Sequence, residues 1–240
     1  MPRTRLDRWL KDRLGCSRAD ATTLIRQGRV TRGGLALRSA TDAVSDDDEL
    51  VVDGRPVEAP PAHLLLHKPA GVVTSTSDRD GPPVTGLLPP ALARFAWMPV
   101  GRLDRDTTGL LLLTRDGELC HRLTHPNHKV AKTYAATLDA PVPDDAQARF
   151  AAGLALSDGP TLPAELAVTG ARTADVTLRE GRFHQVKRMF HAVGREVLAL
   201  HRRAMGPLTL PDDLPPGAIR PLTGDEIAAI YAAVRLEPPR

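Results

Sequence analysis

Two aspartates, Asp104 and Asp106, are the best-placed groups for chemistry in this sequence. They lie in GRLDRDTTGLLLLTRDGEL, residues 101–119, between Gly101 and Gly109 and beside Arg102 and Arg105. The glycines bracket a polar loop, and the apolar run after it reads as a strand. Flanking positive charge favours the anion, so such a carboxylate stays ionised and serves as nucleophile or base. A loop at the start of a strand also holds a reacting group rigidly. The competing reading is a plain turn whose aspartates cap backbone amides. A second cluster, Cys120, His121, His125 and His128, contains metal-ligand types. Its cysteine and first histidine are adjacent and Pro126 interrupts it, which does not fit structural zinc spacing, so no metal is expected. Phosphate-loop, dinucleotide and Ser–His–Asp signatures are not found.

The elements that must position Asp104 follow from pattern. Strands are predicted over His63–His67, Leu110–Thr114, Lys132–Leu138, Asp175–Arg179 and Glu196–His201. Helices are predicted after Asp116, Gly181 and Thr223, the last opened by a Thr223–Glu226 capping box. Strands outnumber helices without a regular strand–helix–strand rhythm, so the class is α+β with a mixed, mainly antiparallel sheet. Upstream, Leu6, Trp9, Leu10 and Leu14 recur at helical spacing and Gly15 ends that helix. Ser17 and Asp20 open a second helix, with Leu24 and Ile25 facing inward and Gly28 closing it. Hairpin turns are read at Gly33-Gly34 and Asp53-Gly54, and the acidic run 46–49 as a solvated loop. A proline-rich stretch from Pro56 to Pro61 then separates two domains: 1–58, a linker over 59–62, and 63–240.

Composition narrows the partners. The 240 residues carry a formal charge of +3 and a pI near 9.1, a mild basic excess. Ten basic and three acidic side chains fall in residues 1–38, and seven against two in 179–203. Two such segments can form one phosphate-binding surface, although solvated helix faces have the same composition. The 27 arginines against 5 lysines suit phosphate and base recognition, and also fit a GC-rich genome. Two cysteines make no disulfide framework. The opening MPRTRLDRWLKDRL is charged where a secretory signal has an apolar core, and no apolar run reaches membrane-spanning length. A cytoplasmic protein without a membrane partner is expected, and a monomer.

Four segments carry a resemblance. GRLDRDTTGLLLLTRDGEL is similar to the central motif of the RsuA-type pseudouridine synthases, enzymes that modify ribosomal RNA. His67-Lys68-Pro69-Ala70-Gly71 with Ser75-Thr76 resembles that family's first motif, whose role is architectural. Ala131-Lys132-Thr133-Tyr134 resembles its Lys-Thr-Tyr motif, with Ala131 where relatives usually carry an acid. GRFHQVKRMF, residues 181–190, resembles the motif that gives the catalytic carboxylate a basic partner. Lys187 occupies that position, where many relatives have arginine. RLDRWLKDRLGCSRADATTLIRQGRVTRGGLAL, residues 5–37, resembles an S-four-type RNA-binding module, a helix pair followed by a small hairpin sheet.

The resemblance implies isomerisation of one uridine to pseudouridine in ribosomal RNA, without a cofactor. Asp104 is the implied catalytic residue, Tyr134 packs on the target base, and Lys187 holds Asp104 ionised. The implied RNA contacts are Arg5, Arg18, Arg26 and Arg29 in the N-terminal module, Arg102 and Arg105 beside the aspartates, and Arg182, His184, Gln185 and Arg188. The lysine and the absence of a C-terminal tail favour 16S RNA, free or in an assembly particle, over 23S RNA. Two other classes stay open. A non-catalytic ribosome-assembly factor would make Asp104 dispensable, and a metal-dependent RNA hydrolase would use Asp104, Asp106 and His121.

Overall fold

The computed structural model describes residues 3–75 and 81–238, so Thr76 lies outside the described residues. Two compact units are present: one runs to Pro61 and includes 89–96, and the other comprises 62–88 and 97–240. The domain reading from sequence does not contain the return of residues 89–96 to the first unit.

In the first unit, α1 (Leu6–Leu14) buries Leu6, Trp9 and Leu10 and ends on Gly15 in the left-handed region. The predicted capping box opens α2 (Arg18–Arg26): Asp20 N donates to Ser17 Oγ at 3.1 Å, and Ser17 N donates to the Asp20 carboxylate at 3.1 Å. Ile25 is buried, but Leu24 is only half-buried. An antiparallel sheet follows in the order β2-β1-β3-β4, with β1 Val30–Arg32, β2 Leu35–Ala36, β3 Leu50–Val52 and β4 Arg55–Pro56. The acidic run is not simply solvated, which corrects the sequence reading. Asp46 accepts from Trp9 Nε1 at 2.9 Å and pairs with Arg13, while Asp48 accepts from Ser45 N at 2.8 Å.

The second unit is a mixed sheet. Its main path runs β8-β9-β7-β10-β6-β5-β11, with β5 His63–Lys68, β6 Thr108–Thr114, β7 Lys132–Leu138, β8 Glu165–Gly170, β9 Thr173–Leu178, β10 Val197–Met205 and β11 Ile219–Pro221. Every pairing along it is antiparallel except β10 with β6. β6 sits inside the sheet with Leu110 to Leu113 fully buried, as a leucine run covered on both faces requires. One core packs α4 (Ala146–Ala152) and α5 (Gln185–Ala192) through Phe150, Met189 and Phe190 against β7, β8 and β9. The other packs α3 (Gly117–Thr124) and α6 (Gly224–Ala233) through Leu119, Leu123 and Ile230 against β5 and β6. The Thr223–Glu226 box caps α6 as expected. β8 and α4 are elements the sequence reading did not contain.

The far end of β6 is tied by one buried network. His63 Nδ1 and Thr114 Oγ1 are 2.8 Å apart, Asp116 N donates to Thr114 Oγ1 at 3.0 Å, and Tyr231 OH donates to Asp116 Oδ2 at 2.5 Å. The near end opens on the loop that carries Asp104.

Candidate active site

Backbone carbonyls and one buried lysine shape the loop 101–107. Lys68, at the end of β5, is fully buried, and its Nζ donates to the carbonyls of Thr107 at 2.7 Å, Pro69 at 3.0 Å and Arg105 at 3.3 Å. Burial pushes its pKa down to about 8; the carboxylates of Asp106 and Asp104 oppose that fall. Thr74 Oγ1 donates to Leu103 O at 3.0 Å and accepts from Leu103 N at 3.1 Å. Gly71 N donates to Arg105 O at 2.8 Å, and Arg105 Nε returns a bond to Gly71 O at 3.2 Å. The first-motif segment is therefore the bracket on which the aspartate loop hangs.

The loop enters β6 at a site that only glycine fills. Gly109 has φ +109°, and a Cβ there would lie 2.2 Å from Arg202 O and 2.6 Å from Arg202 N. Its missing side chain lets β6 run against β10, with Arg202 opposite Gly109. The same row continues outward: Arg202 faces Tyr134 on β7, and Gly109 faces Lys68 on β5. Directly opposed residues share a sheet face, so Tyr134, Arg202 and Lys68 stand at one level of one face. Arg202 is 1 % exposed, and its Nε donates to Leu110 O at 2.8 Å. Tyr134 is half-buried and packs against the α4–α5 core.

Across the loop stands α5. Lys187 Nζ donates to both Asp106 oxygens, at 2.7 and 2.8 Å, and lies 3.4 Å from Asp104 Oδ2. His184 Nε2 is 3.5 Å from Asp104 Oδ1. The expectation of a lysine devoted to Asp104 is thus refined: Lys187 bridges the two carboxylates and is closest to Asp106. Its hydrogen bonds hold the Asp106 carboxyl below the usual carboxylate range, against the effect of burial. Asp104, Asp106, Lys187 and His184 line an open cavity of about 400 Å³ with Ala70, Gly71 and Arg105. A larger cavity of about 590 Å³ in the first unit is lined by Leu14, Val57, Asp53, Arg55 and Arg94 among others, with Asp53 paired to Arg29.

The implied RNA contacts divide. Arg105 lines the cavity and is exposed, Arg102 is exposed two residues from Asp104, and Arg26 is exposed without a carboxylate partner among the described residues. Arg5 and Arg18 both bind the buried Asp7, at 2.9 Å each, and the hydrogen bond from Arg5 leads in holding its carboxyl down to about 2. Arg29 pairs with Asp53. Gln185 is 4 % exposed; it accepts from Arg182 N at 2.9 Å and donates to Glu180, so its side chain braces the loop. Arg182 donates to Gly159 O, Pro160 O and Glu180, and Arg188 to Asp158 and Phe183 O. Arg202, inside the basic stretch read as RNA-facing, is buried. Among the described residues, no group of three His, Cys, Asp or Glu is arranged to hold a metal. His125 Nδ1 instead accepts from Asn127 N at 3.2 Å, capping a short turn.

Known proteins match the chain over nearly its whole length. Residues 62–192 match the family model described as RNA pseudouridylate synthase. The chain is 44% identical over 232 residues to ribosomal small subunit pseudouridine synthase A of Yersinia pestis, covering 95% of this chain and 98% of that one. It is 44% identical over 230 residues to the protein of that name from Escherichia coli K12, covering 94% and 99%, and 43% identical to that of Pseudomonas aeruginosa, covering 94% and 100%. A crystal structure titled pseudouridylate synthase superposes with a TM-score of 0.67 at 38% identity, over 94% of this chain and 99% of that one.

Proposed function

The chain belongs to the RNA pseudouridylate synthase family, in its ribosomal small subunit pseudouridine synthase A branch, and we propose that it isomerises a uridine of 16S ribosomal RNA through Asp104. As a pseudouridine synthase it is an isomerase. The substrate reading rests on the small-subunit relatives, which match over nearly their whole length.

The reaction breaks the bond from the sugar to N1 of uracil, turns the base and forms a bond from the same carbon to C5. The C5 proton leaves and N1 gains one, so composition is conserved and no redox partner or group donor enters the balance. The observation that carries the site is the clamped loop, which presents Asp104 to the cavity 3.4 Å from Lys187 Nζ and 3.5 Å from His184 Nε2. A fixed cation beside a carboxylate orients it for attack or proton removal. Asp106, bound bidentately, anchors that cation. Tyr134 is the residue for packing on the target base, one strand beyond Arg202. The uridine must leave its stack to reach Asp104, which is easiest in a loop or in RNA not yet folded. Arg102 and Arg105 are placed for backbone phosphates, and the N-terminal unit, as an S-four-type module, adds affinity by tethering.

The protein then works as a monomer in the cytoplasm, on free RNA or an assembly particle. Among the described residues no helix is long and apolar enough to cross a membrane. The test is tritium release from 16S and 23S transcripts labelled at C5 of uridine. Release from 16S alone is expected; release from 23S alone would overturn the substrate, and release from neither, assembly particles included, would overturn the enzyme reading.

A further inference from the structure

The chain has eight aromatic side chains, four Phe, two Trp and two Tyr. Six are buried, Tyr134 is half-buried, and Phe183 alone is out in solvent, at 76 % exposure. A phenyl ring left in water by a chain with so few aromatics offers its face to a flat ligand. Its location names one. The ring of Phe183 stacks on that of His184, with centroids 3.8 Å apart and planes 20° off parallel, and His184 faces Asp104.

The backbone beneath this stack is held on every side. His184 sits in the left-handed region at φ +49°, a conformation uncommon outside glycine that persists where surroundings impose it. Here they do: Gln185 Oε1 binds Arg182 N at 2.9 Å, Arg188 Nη1 binds Phe183 O at 3.1 Å, and Arg188 N binds His184 O at 3.0 Å. The ring is therefore presented on a rigid support at the rim of the cavity, and is not among the residues that line it.

We propose that the Phe183–His184 stack is a nucleobase platform, on whose outer face lies the base next to the target uridine. The proposal rests on the reading of this site as one that isomerises uridine in RNA. A base on the outer face of Phe183 is two ring layers beyond His184, too far for Asp104 to reach, so it is the neighbour and not the reacting base. A uridine that leaves its stack strips its neighbour of a stacking partner. Phe183 replaces that partner and offsets part of the cost of extrusion. Stacking on an aromatic ring serves any base, so the platform sets the strand's path without reading sequence.

Two measurements test this. In tritium release from folded 16S transcript, Phe183→Leu keeps size and apolarity but removes the π face. It should lower kcat/KM roughly tenfold, with Phe183→Tyr within about twofold of the parent. Equal rates for parent and Phe183→Leu overturn the proposal, as does equal loss in Leu and Tyr variants, which marks a merely structural ring. The second is fluorescence of a short single-stranded RNA with 2-aminopurine on either side of a central uridine. The parent should quench it on binding, and Phe183→Leu should bind with the quench largely lost; an unchanged quench overturns the platform. Quenching needs no turnover, so failure of the platform and failure of the isomerase reading remain distinguishable.

Discussion

The two ends of β6 differ in how their polar groups are satisfied. At the Thr114 end, His63, Thr114, Asp116 and Tyr231 close into one network, and α3 and α6 are locked to the sheet. There burial pushes the Asp116 carboxyl up, but hydrogen bonds from Tyr231 and two backbone amides outweigh it and leave it low. At the Thr108 end, Lys68 and Arg202 crowd beneath a loop bearing two carboxylates. Thr107 Oγ1 and Arg202 Nη2, two of the three buried side-chain atoms without a hydrogen-bond partner among the described residues, lie at that end. The closed network serves stability, the open one serves the proposed chemistry, and one strand carries both.

The sharpest way to break this contrast is at Asp104. Asp104→Asn should reduce tritium release by at least about 10³-fold while the urea unfolding midpoint stays put, because the loss is of charge and nucleophile and not of packing. Equal activity would mean that the open end does no chemistry. Next, Lys187→Met should cost turnover roughly 10²-fold, and Lys187→Arg should recover much of it, in single-turnover assays. At the other end, Tyr231→Phe should leave kcat/KM alone. It strips Asp116 of a buried donor and should lower unfolding free energy by about 1–3 kcal/mol in urea titration. A fall in activity without a fall in stability would erase the division between the ends.

The smallest effect is a pH signature of Lys68. Its folded pKa, about 8, is below the ordinary 10.5, so the unfolded chain binds more protons between those values. Its contribution to stability therefore rises as pH climbs from about 8 to 10.5. Over the same range the ammonium gives up one of the donors that clamp the aspartate loop, so turnover should fall a few-fold with a midpoint near 8. The limb should persist in Lys187→Arg, and its absence there would overturn the assignment to Lys68.

Local patterns were legible in the sequence and long-range ones were not. Both capping boxes span three residues and form as read. The Asp104 motif is contiguous, so its loop and strand follow directly. By contrast, Lys187 reaches Asp106 across 81 positions, and Trp9 reaches Asp46 across 37. No local pattern separates a lysine that bridges two carboxylates from one that serves a single partner. β8 escaped notice because only Leu166 on it is buried, so its apolar alternation is weak. Arg202 and Gln185 looked like surface groups by type, and only strand register and a neighbouring loop turn them inward.

The single parallel junction in the main sheet also dictates an order of events during synthesis. Thr108 and His201, joined at 2.8 Å, are 93 residues apart. Closing so long a loop is entropically unfavourable and slow, and on a translating ribosome it has to wait for the second partner to emerge. The floor beneath Asp104 is therefore laid only after β10 leaves the exit tunnel. A nascent chain that already displays its N-terminal helices and the aspartate loop still lacks the strand on which that loop's floor is built.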